Sequence, residues 1–310
     1  MSDPTAEVIV VGAGPAGLTA ALYLARYRRQ CLVLHDGTSR ALRIPRSHNT
    51  PGFPEGISGE ELIGRLAVQA RQAGAEILDR HIATARLTEG GFVLSDAQGD
   101  EWSARALIFA TGVEDVGPGL SRTVEDEALR NGVLRYCPIC DGREAVGRAI
   151  AVLGGDDHGA AEALFVRRYS DAVTLLALET PAFGPGVIEQ LDAAGILIEP
   201  SPAREIAPGA VDVVVGLQDG RRLTFDVLYP ALGSKPRSVL PLSLGVPDGV
   251  AGKVEAGAPL GGPRPGIFVA GDVVEGLDQI SVAFGHGALA ATRAHNYLRG
   301  LDAETLTPAG

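Results

Sequence analysis

The sequence is poor in cysteine and has no long unbroken apolar run, and both shortages exclude classes of protein. Only three of the 310 residues are cysteine, too few for a disulfide framework, so we expect a reducing, cytoplasmic setting. The beginning of the chain lacks the basic segment that starts a secretory signal peptide. Glycine and proline divide the most apolar stretch, residues 8–27, into a strand, a turn and a helix, so no transmembrane segment is predicted.

Positive charge is also scarce. The chain carries 27 Lys and Arg against 38 Asp and Glu, for a formal net charge of −11, and it has no basic run. Nucleic acids and anionic membrane surfaces bind clustered basic side chains, so we expect neither as a partner. The 45% of apolar residues and the 41 glycines are typical of a globular chain, and its length favours two domains.

The first glycine-rich segment has the pattern of a dinucleotide-binding turn. Residues 8–11 form a β-branched run typical of a buried strand, and GAGPAG follows at residues 12–17, ahead of an apolar helix. In such a turn Gly12 reverses the chain, Gly14 lets the backbone approach a pyrophosphate, and Gly17 lets the helix pack against the strand. The phosphates would lie at the helix N-terminus, so the segment predicts a dinucleotide site.

The next apolar strand, residues 31–36, supports that prediction. It ends in Asp36, at about the spacing at which a carboxylate binds a ribose hydroxyl in dinucleotide-binding folds. Cys31, on the same strand, is interpreted as a small core residue without chemistry.

The same plan occurs twice along the chain. Two hairpin strands and a strand that closes on glycine occupy residues 84–112, and residues 204–233 repeat them. A strand, a glycine turn and a helix precede the second set, with Gly154 in the place of Gly12. The pattern predicts an α/β fold with two dinucleotide-binding, Rossmann-like domains.

The last apolar segment, residues 266–298, fits neither copy. It has the pattern of a strand, a loop and a long helix, which we expect to return to the first domain and leave the second as an insertion. The predicted bounds are 1–115 and 238–310 for the first domain and 116–237 for the second.

A vicinal cysteine pair lies ahead of the second glycine turn, in the sequence RYCPICDG at residues 135–142. A redox disulfide, half of a zinc site and two packed thiols are the possible interpretations. Zinc needs four ligands and no second pair accompanies Cys137 and Cys140, while Pro138 and Asp141 disfavour plain packing. A redox pair is favoured, because a vicinal thiol resolves the mixed disulfide formed with a substrate.

Five motifs together resemble those of the low-molecular-weight thioredoxin reductases. They occur in that family's order and extend over nearly the whole chain. They are GAGPAG at residues 12–17, NTPGFPEGISGEEL at 49–62, ATG at 110–112, CPICDG at 137–142, and Gly271-Asp272 with Gln279-Ile280. The resemblance implies an FAD-dependent dithiol/disulfide oxidoreductase, with FAD in the first domain and an NAD(P)H-binding-like second domain that carries the redox pair.

The resemblance also implies roles for particular residues. Cys140 resembles the cysteine that exchanges electrons with the flavin, Cys137 the one that meets the substrate, and Asp141 the acid that protonates the leaving thiolate. The aspartate of the late Gly-Asp pair resembles the ligand of the flavin's ribityl chain. The complete implied FAD-binding set is Gly12, Gly14, Pro15, Ala16, Gly17, Asp36, Asn49, Thr111, Gly112, Gly271, Asp272, Gln279 and Ile280. The implied substrate is a thioredoxin-like protein or a small-molecule thiol or disulfide, and the implied assembly is a homodimer.

The second glycine turn departs from the family. Residues 154–159 read GGDDHG, so Asp156 stands where the motif needs its second glycine. Glu179 lies after the following strand, where the resemblance implies a basic cluster for the 2′-phosphate of NADPH. Arg167 and Arg168, near the end of the intervening helix, are interpreted as solvated surface charges. NAD(P)H is therefore a doubtful electron donor, which leaves another electron carrier or oxygen as the partner.

Three alternatives stay open: an ordinary NAD(P)H-dependent thioredoxin reductase, an oxygen-dependent dithiol oxidase, and a non-catalytic flavin-binding regulatory or scaffold protein. The intact CPICD at residues 137–141 disfavours the scaffold, because a retired enzyme has no physical need for an adjacent thiol pair and acid. Asp141 favours disulfide reduction, whereas the altered second turn favours dithiol oxidation. His286, at the start of the last helix, is either a base near the flavin or a helix-terminal histidine without a catalytic task.

Overall fold

Two parallel sheets, each with an apolar core on both faces, organise the chain. The computed structural model describes residues 5–255 and 264–304. The predicted domain ends at Met1 and Gly310 lie outside these residues. Two apolar clusters lie against the first sheet and two against the second. Unbroken apolar runs form such strands because a strand covered on both faces has no solvent-facing side.

The strands and helices follow one another in the order that the two-copy pattern predicts. The strands are β1 (Ala6–Val11), β2 (Cys31–His35), β3 (Glu76–Asp79), β4 (Ile82–Thr88), β5 (Gly91–Asp96), β6 (Glu101–Phe109), β7 (Val113–Asp115), β8 (Ile150–Leu153), β9 (Val173–Leu176), β10 (Leu197–Ile198), β11 (Ala203–Pro208), β12 (Val213–Leu217), β13 (Arg222–Phe225), β14 (Val227–Pro230), β15 (Ser234–Pro236) and β16 (Ile267–Val269). The helices are α1 (Pro15–Arg26), α2 (Gly59–Ala73), α3 (Arg122–Asn131), α4 (Pro138–Asp141), α5 (Asp157–Val166), α6 (Val187–Ala193), α7 (Val239–Ser243) and α8 (Ile280–Leu301). Within the described ranges, no helix is long and apolar enough to cross a membrane.

The first sheet is built around β1. Its parallel strands follow the order β3-β2-β1-β6-β16. Val8 and Val10 point into the cluster that holds α1 and α8, whereas Ile9 points into the cluster on the opposite face; all three are fully buried. The predicted strand, glycine turn and helix are confirmed.

One long strand joins the parallel sheet of the first domain to its antiparallel hairpin. β6 pairs with β1 through residues 104–109 and with β5 through residues 101–104. In the second domain two separate strands make the corresponding pairings: β14 pairs with β8 in the parallel sheet, and β13 pairs with β12 in the antiparallel sheet. The single strand predicted at the end of residues 204–233 is therefore wrong. The predicted strand is interrupted at Asp226, whose carboxylate accepts the backbone N–H of Ala149 at 2.8 Å.

The second domain is an insertion in the first, as predicted. Its parallel sheet has the order β10-β9-β8-β14, and β11, β12 and β13 form a separate antiparallel sheet. β7 and β15 pair with each other where the chain leaves and re-enters the first domain. β16 then joins β6, and α8 packs on α1. The predicted domain limits at residues 116 and 237 stay predictions.

A glycine determines how closely α8 packs against α1. A Cβ at Gly287 would lie 2.3 Å from the carbonyl oxygen of Ala16 and 3.0 Å from Cβ of Thr19. Gly285, exposed on the same helix, has no atom within 4 Å of such a Cβ. Because α1 begins at the first glycine turn, the position of α8 affects the geometry of that turn.

We expect Gly287→Ala to lower the stability of the FAD-loaded protein by about 1–3 kcal/mol, because the added methyl overpacks the α1–α8 contact. Gly285→Ala is the matched control, and it should leave stability unchanged or raise it by about 0.5–1 kcal/mol through helix propensity. Thermal unfolding and FAD retention of the two variants measure the difference. Equal melting temperatures would contradict the packing argument.

Candidate redox site

A cavity of about 460 Å³ extends from the first glycine turn to the cysteine pair. Residues of both domains line it. The lining includes most of the predicted site residues, namely Gly12, Gly14, Pro15, Ala16, Asp36, Gly112, Cys137, Cys140, Asp141, Gly271, Asp272, Gln279 and Ile280.

Three predicted site residues are not among those that line the cavity. Gly17 packs α1 onto the turn, since a Cβ there would lie 1.9 Å from the carbonyl oxygen of the turn's first glycine. Thr111 donates its hydroxyl proton to the carbonyl oxygen of Arg237 at 2.6 Å. Asn49 donates from its side-chain amide to the side-chain oxygen of Gln279 at 2.9 Å. These residues position the wall and do not line it.

The N-terminal end of α1 meets the cavity without a side-chain cap. Its N-cap residue is Gly14, Pro15 follows with no N–H of its own, and the first turn contains no acid. A Cβ at Gly14 would meet one neighbour, the Ser39 hydroxyl, at 3.2 Å. Gly12 makes the preceding turn with a φ of +110°. An uncapped helix N-terminus attracts anions, so this turn fits the pyrophosphate of a dinucleotide.

Asp36 follows β2 and lies at the cavity wall. Burial by itself would raise the pKa of its carboxyl, but hydrogen bonds from Thr38 and the positive charge of Arg237 lower the pKa overall. Thr38 donates both its N–H, at 3.0 Å, and its hydroxyl, at 2.6 Å, to the same carboxylate oxygen. The ionised group is available as a hydrogen-bond acceptor for a ribose hydroxyl.

Arg40 is a cavity residue that the sequence analysis missed. Its guanidinium lies 2.9 Å from the carboxylate of Asp272 and 2.7 Å from that of Asp115. Burial raises the pKa of Asp272, and Arg40 opposes that rise. The sequence signal was an arginine four residues after Asp36. Arg40 lines the same cavity as the uncapped end of α1, but carboxylates neutralise its charge, so the helix end is the group that attracts phosphate.

Cys137 and Cys140 form a disulfide in the cavity wall. Cys137 is the N-cap of the one-turn helix α4, which begins with Pro138, and the N–H of Cys140 donates to the carbonyl oxygen of Cys137 at 2.9 Å. Both cysteines are half-buried, while Ile139 between them is 46% exposed. The disulfide therefore borders both the cavity and solvent.

Asp141 is held between two side chains of the second domain. The hydroxyl of Tyr229 donates to one carboxylate oxygen at 3.1 Å, and Arg135 lies 3.2 Å from the other. Burial raises the pKa of Asp141, although Arg135 and Tyr229 oppose that rise. A carboxyl group with a raised pKa, on the residue next to a disulfide cysteine in the chain, is suited to donating a proton to a leaving thiolate.

Two aspartates and a neighbouring loop of the same chain occupy the N-terminal end of α5, at the second glycine turn. Asp156 is the N-cap residue and accepts the N–H of Gly159 at 2.9 Å. Asp157, in the first turn, accepts the N–H of Gly184 at 2.8 Å, and the N–H of Ala182 donates to Gly155 at 2.8 Å. The loop after β9 is therefore bonded to the glycine turn. Two carboxylates occupy the end of the helix where a nucleotide phosphate would bind.

The charges around this second turn differ partly from the prediction. Glu179 is exposed after β9 and Arg168 is exposed on the surface, as expected. Arg167 is not simply solvated, because its guanidinium donates to the carbonyl oxygen of Ala194 at 2.7 Å and ties α5 to the end of α6. Arg204, which the sequence analysis missed, donates to the carbonyl oxygen of Leu178 at 3.2 Å.

Cys31 and His286 lie outside the cavity lining. Burial raises the pKa of the Cys31 thiol to about 12, so this cysteine has no thiolate at neutral pH and is a core residue, as interpreted. The placement of His286 at the start of the last helix is wrong. α8 begins at Ile280, because Gln279 is already its N-cap, and this puts the histidine in the second turn.

Known proteins resemble this chain over nearly its whole length. Residues 6–287 match the pyridine nucleotide-disulphide oxidoreductase family. A thioredoxin reductase from Listeria monocytogenes is 32% identical over 95% of this chain and 94% of its own. One from Streptomyces clavuligerus is 31% identical over 99% and 98%. The solved structure of a thioredoxin reductase from Giardia duodenalis superposes with a TM-score of 0.83 at 27% identity, covering 94% of this chain and 98% of that one.

The chain therefore belongs to the thioredoxin reductase-like, FAD-dependent disulfide oxidoreductases within the pyridine nucleotide-disulphide oxidoreductase family. It is an enzyme, and FAD is its cofactor. The cavity fits that cofactor, since the uncapped end of α1 and the close-approach position at Gly14 suit a pyrophosphate and Asp36 suits a ribose. The cysteine pair lines the same cavity.

We expect Asp141→Asn to gain stability relative to the native protein as the pH rises from about 4 to 8. The folded state raises the pKa of this carboxyl above its unfolded value of about 3.9, so ionisation costs folding free energy at higher pH and nothing below that range. Each unit of difference between the folded and unfolded pKa values corresponds to about 1.4 kcal/mol of folding free energy. Melting temperatures across this range test the trend, with Asp192→Asn on the exposed side of α6 as the control. A variant that loses relative stability as the pH rises would contradict it.

Proposed function

We propose that FAD and the Cys137–Cys140 pair exchange electrons in the cavity, that the pair exchanges them with a thiol or disulfide substrate, and that NADPH and NADH are poor electron donors. The observation that carries the proposal is the disulfide itself, which lines the same cavity as the uncapped turn of α1. A redox pair beside a flavin site is arranged for electron transfer between the two.

The chemistry of the pair follows thiol–disulfide exchange. A substrate thiolate attacks Sγ of Cys137 and forms a mixed disulfide, while Cys140 leaves as a thiolate. A second substrate thiolate then attacks the substrate's own sulfur, and Cys137 leaves. The substrate has become a disulfide, the pair a dithiol, and two electrons have entered the protein. Asp141 gives or takes the proton at the leaving sulfur.

FAD, when bound, supplies the acceptor or the donor for these two electrons. The same exchange in the opposite order reduces a substrate disulfide, so the residues serve both directions. Asp141 favours reduction, because its raised pKa suits a proton donor. The closed second turn favours dithiol oxidation, which requires no pyridine nucleotide. Another electron carrier or oxygen completes the reaction.

A thioredoxin-like protein is the substrate class that we propose first. The relatives that match the whole chain carry the name thioredoxin reductase. Exposure of Ile139 between two half-buried cysteines gives a partner a contact point beside the pair. A small-molecule thiol or disulfide is the second substrate class. The cytoplasmic location and the homodimer stay predictions.

The closed second turn supports the proposal that pyridine nucleotides react slowly. A phosphate at the N-terminal end of α5 would have to displace the carboxylate of Asp156 or lie beside it, and to break the contact of Asp157 with Gly184. Two like charges about 4 Å apart repel by about 1 kcal/mol in water and about 4 kcal/mol near a protein surface. A difference of 1.4 kcal/mol already weakens binding about tenfold.

An ordinary NAD(P)H-dependent thioredoxin reductase is the alternative function, and one observation favours it. The guanidinium of Arg204 lies beside the carbonyl oxygen of Leu178, next to Glu179 at the end of the strand that follows the second turn. A basic group in this position suits a 2′-phosphate. The two functions differ in the rate at which pyridine nucleotides reduce the flavin.

Replacement of Cys140 by serine should abolish electron exchange between flavin and substrate, because no sulfur then faces the flavin. Cys137→Ser should also lose turnover but keep a thiolate beside the flavin, visible as a long-wavelength absorbance band after reduction. Cys31→Ala is the matched control and should keep turnover, since that thiol is buried in the core. Native turnover in both Cys137→Ser and Cys140→Ser, with every dithiol and disulfide tried, would refute the assigned roles.

Anaerobic stopped-flow mixing of the oxidised protein with millimolar NADPH, NADH or dithiothreitol tests the nucleotide proposal. We expect the dithiol to bleach the flavin absorbance and both nucleotides to do so slowly. Asp156→Gly combined with Asp157→Gly and Glu179→Arg should speed the reaction with NADPH, because the end of α5 is then uncapped and less negative. Asp192→Ala, which removes one acid from α6, is the control and should change nothing. Reduction of the native protein by either nucleotide within milliseconds would establish the ordinary reductase instead.

A further inference from the structure

We propose that the side-chain amide of Gln279 is a catalytic hydrogen-bond donor to the redox sulfurs, and that Asn49 is the positioning residue that aims it. The proposal rests on the proposed electron exchange through the cysteine pair and goes beyond a role in binding FAD. Its consequence is a higher reduction potential of the disulfide and a lower pKa of the thiol that forms.

The amide nitrogen of Gln279 contacts both sulfurs of the pair. It lies 3.3 Å from Sγ of Cys137 and 3.5 Å from Sγ of Cys140. Gln279 is the N-cap residue of α8, and its side chain makes no capping hydrogen bond to that helix. The side chain therefore does not cap α8 and instead contacts the disulfide in the inserted domain.

A chain of hydrogen bonds determines which end of the Gln279 amide faces the sulfurs. The side-chain nitrogen of Asn49 lies 3.4 Å from the carbonyl oxygen of Ile139, a group that only accepts, so Asn49 donates on this side. The same nitrogen donates to the side-chain oxygen of Gln279 at 2.9 Å. With its oxygen bonded to Asn49, Gln279 presents its N–H groups to the sulfurs; the oxygen also lies 3.7 Å from Sγ of Cys140, which has no proton to donate in the disulfide.

The hydrogen bond at the oxygen end of the Asn49 side chain supports the same orientation of its amide. The hydroxyl of Ser47 donates to the side-chain oxygen of Asn49 at 3.0 Å, and Ser47 also hydrogen-bonds Thr50 at 2.8 Å. Ser47 and Thr50 are buried, which shields the bond between them from solvent, whereas Asn49 itself is exposed. Asn49 is thus held from behind, by groups of the first domain, while it orients Gln279 toward the cysteines.

The donor acts more strongly on the reduced pair than on the disulfide. A disulfide sulfur is a weak, neutral acceptor, whereas reduction by two electrons and one proton produces a thiol and a thiolate. Hydrogen bonds to ionised acceptors are about twice as strong as neutral ones. Because Gln279 reaches both sulfurs, it stabilises the thiolate on either cysteine, including Cys140 when it leaves during formation of a mixed disulfide on Cys137.

Redox titration of the FAD-loaded protein tests this assignment. Five proteins are equilibrated anaerobically with defined ratios of reduced and oxidised dithiothreitol. They are the native protein, Gln279→Met, Gln279→Glu, Asn49→Leu and, as the control, Gln190→Met at an exposed position of α6. The samples are quenched in acid and alkylated, and mass spectrometry measures the fraction of the 137–140 pair that is reduced. Flavin absorbance is recorded before the quench.

We expect Gln279→Met to shift the equilibrium about tenfold toward the disulfide, which is about 30 mV for this two-electron couple. Gln279→Glu should shift it further, because a carboxylate repels the thiolate. Asn49→Leu should give a smaller shift in the same direction, since the amide of Gln279 is then free to turn. Gln190→Met should titrate like the native protein. In a Cys137→Ser background, Gln279→Met should also raise the pKa of the Cys140 thiol by about one unit, measured from the pH dependence of its alkylation rate.

Two outcomes overturn the assignment: a Gln279→Met equilibrium within twofold of the native one, or a shift toward the dithiol. The flavin signal separates these from failure of the proposed function. If the native pair is reduced while flavin absorbance never follows, electron exchange between them is refuted and the effect of Gln279 on the pair is still measured. If the flavin follows in every protein and the pair's equilibrium does not move, only the role of Gln279 is refuted.

Discussion

The positive end of α1, uncapped by any side chain, is the constraint on which the rest of the site depends. Gly14 offers no side chain and Pro15 no N–H, so the helix dipole faces the cavity. α5 begins at the equivalent turn of the second copy, but Asp156 accepts the N–H of Gly159 in its first turn and Asp157 accepts an N–H of the loop after β9. The two copies thus share one topology and differ in whether the helix end is available to a phosphate. This difference is the basis of the proposal that pyridine nucleotides react slowly with the protein.

The disulfide between Cys137 and Cys140 is held by contacts from both domains. Cys137 and Cys140 belong to the inserted domain, which supplies the carboxyl group that follows them and its partner Tyr229. Gln279, from the returning segment of the first domain, reaches the sulfurs from the other side. The pair therefore lies next to Asp141 of its own domain and lines the cavity that begins at the glycine turn of the other domain. Such a placement requires the insertion, because neither domain alone contains all of these groups.

Periodicity and motif spacing predicted the parallel strands, both glycine turns and the insertion, because buried strands and tight turns restrict residue choice locally. The same reasoning failed where a distant backbone group intervened. Asp226 interrupts a predicted strand by bonding Ala149, and Arg167 is tied to Ala194 instead of being solvated. Arg40 was missed because its spacing from Asp36 is a weak signal until its carboxylate partners are known.

The sequence by itself determined the two-copy α/β plan, the glycine turn at the start of α1 and the vicinal position of the two cysteines, since each depends on residues close together along the chain. Tertiary structure decided what those residues contact. The amide of Gln279 lies 142 positions from Cys137 along the chain yet 3.3 Å from its sulfur. Asp157 closes the second turn through Gly184, which is 27 residues away. Hydrogen bonds are short-ranged and directional, so pairings across such separations exist only once the sheets have brought their loops together.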